Sequence, residues 1–165
     1  MIADKPVPIP FEPHAVPAAG SHVVIGWDVG GAHLKACVVI NGAVADVAQW
    51  PCPLWQGIDQ LRHAIDAART RWPEAMRAAG TRHVATMTGE MVDLFADRAT
   101  GVRALASELA EALGPHLMLH AGIDGGGAGP WIAPRLAQQA WRELASANWR
   151  ATAACNVSLT SVLLP

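Results

Sequence analysis

Val23-Val24-Ile25-Gly26-Trp27-Asp28-Val29-Gly30-Gly31-Ala32-His33-Leu34-Lys35 is the stretch on which the fold of this chain turns. Its first five residues form a nearly continuous apolar run, as in a short strand buried on both faces. The run stops at Asp28-Val29-Gly30-Gly31, where two consecutive glycines predict a positive-φ turn whose N–H groups form an anion-binding nest. Asp28, at the end of the strand, would face that nest and could hold a hydrated Mg²⁺ or orient a water. Lys35 is the only Lys besides Lys5 in a chain that otherwise uses Arg. A compact ammonium there suits a point-charge contact to a phosphate or diphosphate. A dinucleotide-binding turn would lead from strand into helix. Here it leads into a second β-type run, so that reading fails on context.

Working outward, Leu34 to Ile40 is the second strand, Asn41-Gly42 a strong hairpin signal, and Ala43 to Trp50 the third strand, ended by Pro51-Cys52-Pro53. Ile58, Leu61, Ile65, Ala68 and Trp72 recur at helical spacing, with Pro73 as the stop. Val84 to Met87 is a fourth strand, and Val102, Leu105, Leu109 and Leu113 define a second helix closed by Gly114-Pro115. Leu117 to Leu119 is a fifth strand, followed by a glycine-rich loop over 124–129. Leu136 to Leu144 reads as a third helix, and Ser146 as the N-cap of a short fourth one. The order β-β-β-α-β-α-β-α with a mixed sheet is the layout of an actin-like half-domain, an α/β fold. The lobe is expected over 21–154, between a Pro-rich disordered tail over 1–20 and a divergent C-terminal tail over 155–165.

Composition narrows the function classes. The chain has 165 residues, 52% of them hydrophobic, and a formal net charge of −2. That length suits one domain, or half of a two-domain enzyme. The balance lacks the surplus of Lys and Arg that nucleic acid requires. Three widely spaced cysteines, Cys37, Cys52 and Cys155, fit neither a disulfide framework nor a zinc pattern. No run of about 18 apolar residues predicts a membrane span. The first 20 residues hold five prolines and no apolar h-region, so a signal peptide is not expected and the cytoplasm is. His116 and His120 share i, i+4 spacing but fall on a strand without an HExxH glutamate. The Trp residues read as core.

Four blocks carry a family resemblance. Val24 to Ala36 resembles the opening of the hydantoinase/oxoprolinase-related proteins of tetrahydromethanopterin-linked C1 transfer, and the stretches 52–57, 86–98 and 145–152 resemble later blocks in the same order. The resemblance implies the sugar kinase/Hsp70/actin superfamily. It also implies similarity to the methanofuran-biosynthesis enzyme that joins an aminomethylfuran diphosphate to a glutamyl-tyramine-like amine with release of diphosphate. Asp28 and Lys35 would then be catalytic, with Asp28 as metal ligand for Mg²⁺, and Gly30, Gly31, Ala32 and His33 would line the phosphate. Ala32 stands where kinase-like members place Thr or Ser, which weakens ATP phosphotransfer. Glu90 would deprotonate the amine or join a second metal, and Thr88, Asp93 and Asn148 would face the substrate cleft. Glu90 and Asp93 also read as helix-start carboxylates.

The expected ligand is therefore a small-molecule diphosphate or nucleotide, with no nucleic acid and no membrane. Superfamily members place it between two lobes, and the second opens with a motif resembling Asp-Ile-Gly-Ser-Thr-Thr that this chain does not contain. The competing expectations are an inactive truncated or frameshifted fragment, and a module that uses its lobe face to bind a partner, including a second copy in a homo-oligomer.

Overall fold

The computed structural model describes residues 17–122 and 130–148. The Pro-rich residues 1–16, the glycine-rich loop over 123–129 and the C-terminal residues 149–165 lie outside it.

The opening stretch forms β1 (Val23–Val29), which turns directly into β2 (His33–Ile40) and then β3 (Ala43–Pro51). Asn41 and Gly42 join the last two with φ of 52° and 83°. Positive φ at both central positions is what the right-handed twist of a two-residue hairpin demands. Between Val38↔Asp46 and Val39↔Val44 the register slips, leaving Ala45 as a bulge. Helix α1 (Asp59–Arg71) follows, and Pro73 starts a separate short helix, α2 (Pro73–Arg77), as well as ending the first. Pro73 can start α2 because its missing N–H would be an orphan at a helix start in any case.

β4 (Arg82–Met87), α3 (Arg98–Leu113) and β5 (Leu117–His120) complete the predicted series. Asp97 caps α3 by accepting the Thr100 N–H at 2.7 Å. A two-residue strand, β6 (Trp131–Ile132), was not legible in the sequence. The third helix expected over Leu136 to Leu144 is instead a 3-10 turn at Pro134–Leu136 and a single turn of helix, α4 (Trp141–Leu144). Ser146 is not an N-cap: its φ is 52°, outside the extended backbone of a capping residue, and its hydroxyl donates to Glu90.

The six strands lie in the order β3-β2-β1-β4-β5-β6. β1 is antiparallel to β2 and parallel to β4, and β4 is parallel to β5. Alternation sends Val23, Ile25, Trp27 and Val29 to one face, with Leu34, Ala36 and Val38 from β2 and Ala85 and Met87 from β4. Leu61 and Ile65 of α1 and Leu105 and Leu109 of α3 join them in one cluster. The opposite face carries Val24, Gly26 and Asp28 of β1, all only half-buried, and no helix of the described residues covers it. The sequence pattern of β1 calls for cover on both faces, and the described residues supply it on one.

Two buried polar groups add side-chain bonds to the fold, Asp46 between β3 and the end of α1 and His83 between β4 and β1. Asp46, directed inward just after the bulge, accepts from Arg71 Nε at 2.9 Å, Trp72 Nε1 at 2.7 Å and the Val47 N–H at 2.7 Å. Burial alone would raise its carboxyl. The hydrogen bonds from Arg71 and Trp72, the Arg71 charge and the Val47 N–H together hold it below the usual value. His83 of β4 is also buried and accepts the Trp27 indole N–H at Nδ1, 3.2 Å away. Loss of solvent, with Arg69 and His116 nearby, pushes its imidazole down to about 4.

Candidate functional site at the carboxyl ends of the parallel strands

Register places six side chains in one transverse row on the open face. Gln49 pairs with Lys35, Lys35 with Asp28, and Asp28 with Thr86. Because Ala85 pairs with Leu119, the next residues, Thr86 and His120, continue the row, and His120 pairs with Trp131. The row runs along the carboxyl ends of β1, β4 and β5, where open α/β sheets bind their ligands. The row behind it, formed by Val47, Cys37, Gly26, Val84 and Met118, carries no charge. A recess of about 310 Å³ lies over the two rows, with Asp28, Lys35, Thr86 and His120 at its polar side.

Asp28 is the electrostatic centre of this side. Its Oδ2 lies 3.3 Å from Lys35 Nζ, whereas Oδ1 is buried without a hydrogen-bond partner. Thr86 Oγ1, on the neighbouring strand, is also buried without one. A carboxylate oxygen and a hydroxyl left unsatisfied side by side are costly unless a water, ion or ligand group completes them. The Lys35 side chain is 57% exposed, so its pair with Asp28 is worth at most about 1 kcal/mol and can be exchanged for a ligand anion. His120 is buried, accepts the Gly122 N–H at Nδ1, 3.3 Å away, and stacks edge-on against Trp131.

The glycine turn is built differently from its sequence expectation. Neither Gly30 nor Gly31 has positive φ, so the nest geometry that two left-handed glycines would supply is absent there. Gly30 N–H donates to the His33 carbonyl, and the Gly31 and Ala32 carbonyls accept from Leu54 and Cys52. The glycines are needed for closeness instead. A Cβ on Gly31 would stand 2.8 Å from Val92 Cγ1, and one on Gly89 would stand 2.6 Å from Leu54 Cδ1 and 3.3 Å from the Val29 and Gly30 carbonyls. Thr88 N–H donates to the Val29 carbonyl at 2.9 Å, so the ends of β1 and β4 are laced together at this point. Ala32 and His33 are exposed at the tip, beyond Asp28.

The remaining sequence candidates are separated from the recess. Glu90 is buried to 0% side-chain exposure and accepts from Arg98 Nη2 at 2.7 Å and Ser146 Oγ at 2.9 Å. Its other oxygen, Oε2, is buried without a partner. Packed against Gly101 at the start of α3, it fixes the β4–α3 connection to the segment after α4 and does not line the recess. Asp93 is exposed on the turn beyond it; Thr88 and Asn148 are half-buried, and none of the three lines the recess. Thr86 and His120 take the place expected of Thr88 and Glu90. Strand alternation alone could have set Thr86 outward, but only the β1–β4 register puts it beside Asp28.

Metal chemistry is bounded by the same geometry. No group of three or more His, Cys, Asp and Glu among the described residues gathers as a metal site. A single carboxylate with a neighbouring hydroxyl fits Mg²⁺, which keeps most of its waters and takes its remaining ligands from a substrate phosphate. No helix of the described residues is long and apolar enough to cross a membrane. Trp55 and Trp131 depart from the expected core role and are 56% and 39% exposed.

No protein-family model and no curated protein matches this sequence. Among solved structures, the Aquifex aeolicus member of the Ppx/GppA protein family is similar over 60% of this chain and 35% of its own, at 12% identity and a TM-score of 0.40. An exopolyphosphatase-like protein is similar over 62% of this chain and 33% of its own, at 19% identity and a TM-score of 0.38. The chain thus spans about a third of the length of each. The class follows from the sheet itself. Three antiparallel strands, then two parallel ones through helical crossovers in the order β3-β2-β1-β4-β5, make a mixed α/β lobe with the layout that the sequence predicts for an actin-like half-domain.

Proposed function

We propose that this lobe binds a small molecule bearing a diphosphate or a phosphate ester, with a hydrated Mg²⁺ held by Asp28. The observation that carries this reading is the unpartnered Asp28 Oδ1 beside the unpartnered Thr86 Oγ1 at the carboxyl ends of two parallel strands. Asp28 would hold the ion, which would supply positive charge to the phosphate oxygens, and the Thr86 hydroxyl would be free to bond a water or a phosphate oxygen. Lys35 leaves its exposed pair with Asp28 for the phosphate, supplying a second positive charge. Residues 30–33 of the β1–β2 turn do not line the recess, and position 32 is Ala where a Ser or Thr hydroxyl would bond a phosphate. That favours release or transfer of a diphosphate leaving group over ATP phosphotransfer.

Within that class, the C1-carrier pathway and an aminomethylfuran diphosphate as ligand remain the finer proposal, supported by the four sequence blocks. Turnover in such a protein needs donors on both sides of the phosphate, and this lobe supplies one side. Calorimetric titration of pyrophosphate, with and without Mg²⁺, tests the binding reading. Saturable Mg²⁺-dependent binding, weakened several-fold in Lys35→Gln, supports it. The same heats in Lys35→Gln, or none in the parent, remove it.

A further inference from the structure

Ahead of β1, Lys5-Pro6-Val7-Pro8-Ile9-Pro10-Phe11 carries Pro at every second position. Each Pro fixes its own φ and pushes the residue before it out of the helical region, which favours an extended chain. In an extended chain, successive residues direct their N–H and C=O groups to opposite sides. The three missing donors therefore fall on one side, and Val7, Ile9 and Phe11 present donors and acceptors on the other. Such a segment can pair along one side only, as Pro does at a sheet edge with its N–H side toward solvent. We infer that residues 5–11 add to the sheet as a further edge strand, antiparallel to the outer side of β3.

The receiving edge suits it. Among the described residues nothing pairs with the outer side of β3, and the opposite edge strand, β6, has two residues. Exposed edges are ordinarily blunted by short length, charge, Pro or a bulge. β3 has nine residues and no Lys or Arg, and its Val44 and Val47 are 66% and 58% exposed. The bulge at Ala45 blunts only its start, and residues 46–51 run unbroken against β2, matching residues 6–11 in length. Val7, Ile9 and Phe11 share one face and extend the apolar row of Val44 and Val47.

Chain direction and reach allow the pairing. Asn41 N–H donates to the His22 carbonyl at 2.9 Å and His22 N–H to Asn41 Oδ1 at 2.9 Å, so the chain enters β1 beside the turn where β3 begins. Pro17 to Ser21 line a recess with Glu74 and Arg77 of α2, just beyond Trp72, whose indole bonds Asp46 of β3. The outer side of β3 lies three strand spacings from β1, about 14 Å. Residues 12–16 alone reach roughly 17 Å. A segment that precedes β1 and is laid on β3 then runs antiparallel to it.

Hydrogen–deuterium exchange on the full chain, read by mass spectrometry beside a synthetic peptide of residues 1–16, tests the pairing. The amides of Val7, Ile9 and Phe11 should exchange at least tenfold more slowly in the chain than in the peptide. Ile9→Pro removes a donor from the pairing side, so it should bring Val7 and Phe11 to the peptide's rate and speed exchange in residues 46–51 several-fold. Pro8→Ala adds a donor on the outer side and should leave the protection in place. Peptide-like exchange over residues 5–11 in the parent, or equal losses in Ile9→Pro and Pro8→Ala, would overturn the inference. Protection of β3 that weakens on dilution of a dimer seen by light scattering, with residues 5–11 unprotected, would assign the edge to a second copy and overturn it as well.

Discussion

Acidification should destabilise this lobe through one buried histidine. His83 is 4% exposed and serves as acceptor for the Trp27 indole N–H, so Nδ1 is unprotonated in the folded protein. Its imidazole is lowered from 6.5 to about 4. Between those values the unfolded chain binds a proton that the folded chain refuses, so stability rises with pH across the window and falls as pH drops through it. The gap of about 2.5 pH units corresponds to roughly 3 kcal/mol, lost between pH 6.5 and pH 4. That is a large share of the roughly 5–15 kcal/mol of an ordinary domain. Urea unfolding followed by Trp fluorescence at pH 8, 7, 6 and 5 measures the slope. In His83→Gln the amide oxygen can still accept from Trp27, but the side chain no longer titrates, so the slope above pH 5 should flatten. Equal slopes in parent and variant would refute the reasoning. Asp46 acts in a separate window, because its lowered carboxyl contributes stability that is lost only as pH falls below about 4.

Other outcomes follow from named contacts. Asp46→Ala should lower stability by about 2–3 kcal/mol in urea, since it strands the buried Trp72 N–H and leaves Arg71, partly reachable by water, without its anion. Gly89→Ala should cost about 1–3 kcal/mol in thermal melts, because the new methyl meets Leu54 and two carbonyls of the β1 end. Glu90→Ala should reduce stability but leave pyrophosphate affinity within about twofold, as calorimetry would show. A loss of affinity without a loss of stability would return Glu90 to the binding site.

The sequence and the structure agree wherever local chemistry decides the conformation. The Asn41-Gly42 turn, the break at Pro51 and the stripes on α1 and α3 each follow from residue type and spacing. Agreement stops where tertiary pairing decides. The segment after residue 133 has helical spacing at Leu136, Ala140 and Leu144, yet forms two isolated turns. The pairing of Asp28 with Lys35 was legible because the two flank one short turn. Thr86 and His120 were not, since their place beside Asp28 depends on which strands become neighbours and in what register. The surroundings of Glu90 were hidden for the same reason, since Arg98 and Ser146 reach it only through the packing of α3 and the segment after α4. The glycine pair was expected to turn with positive φ, and neither residue does; at Gly31 a side chain is excluded by closeness to Val92 instead.

The central claim is that Asp28 organises a phosphate site through a bound cation, and one titration addresses it. Pyrophosphate titrated into the chain with Mg²⁺ should bind with affinity that falls at least tenfold when Mg²⁺ is omitted. The same fall should occur with Mg²⁺ present in Asp28→Asn, which keeps the shape and loses the charge. Binding that ignores both Mg²⁺ and the Asp28→Asn change would contradict the account.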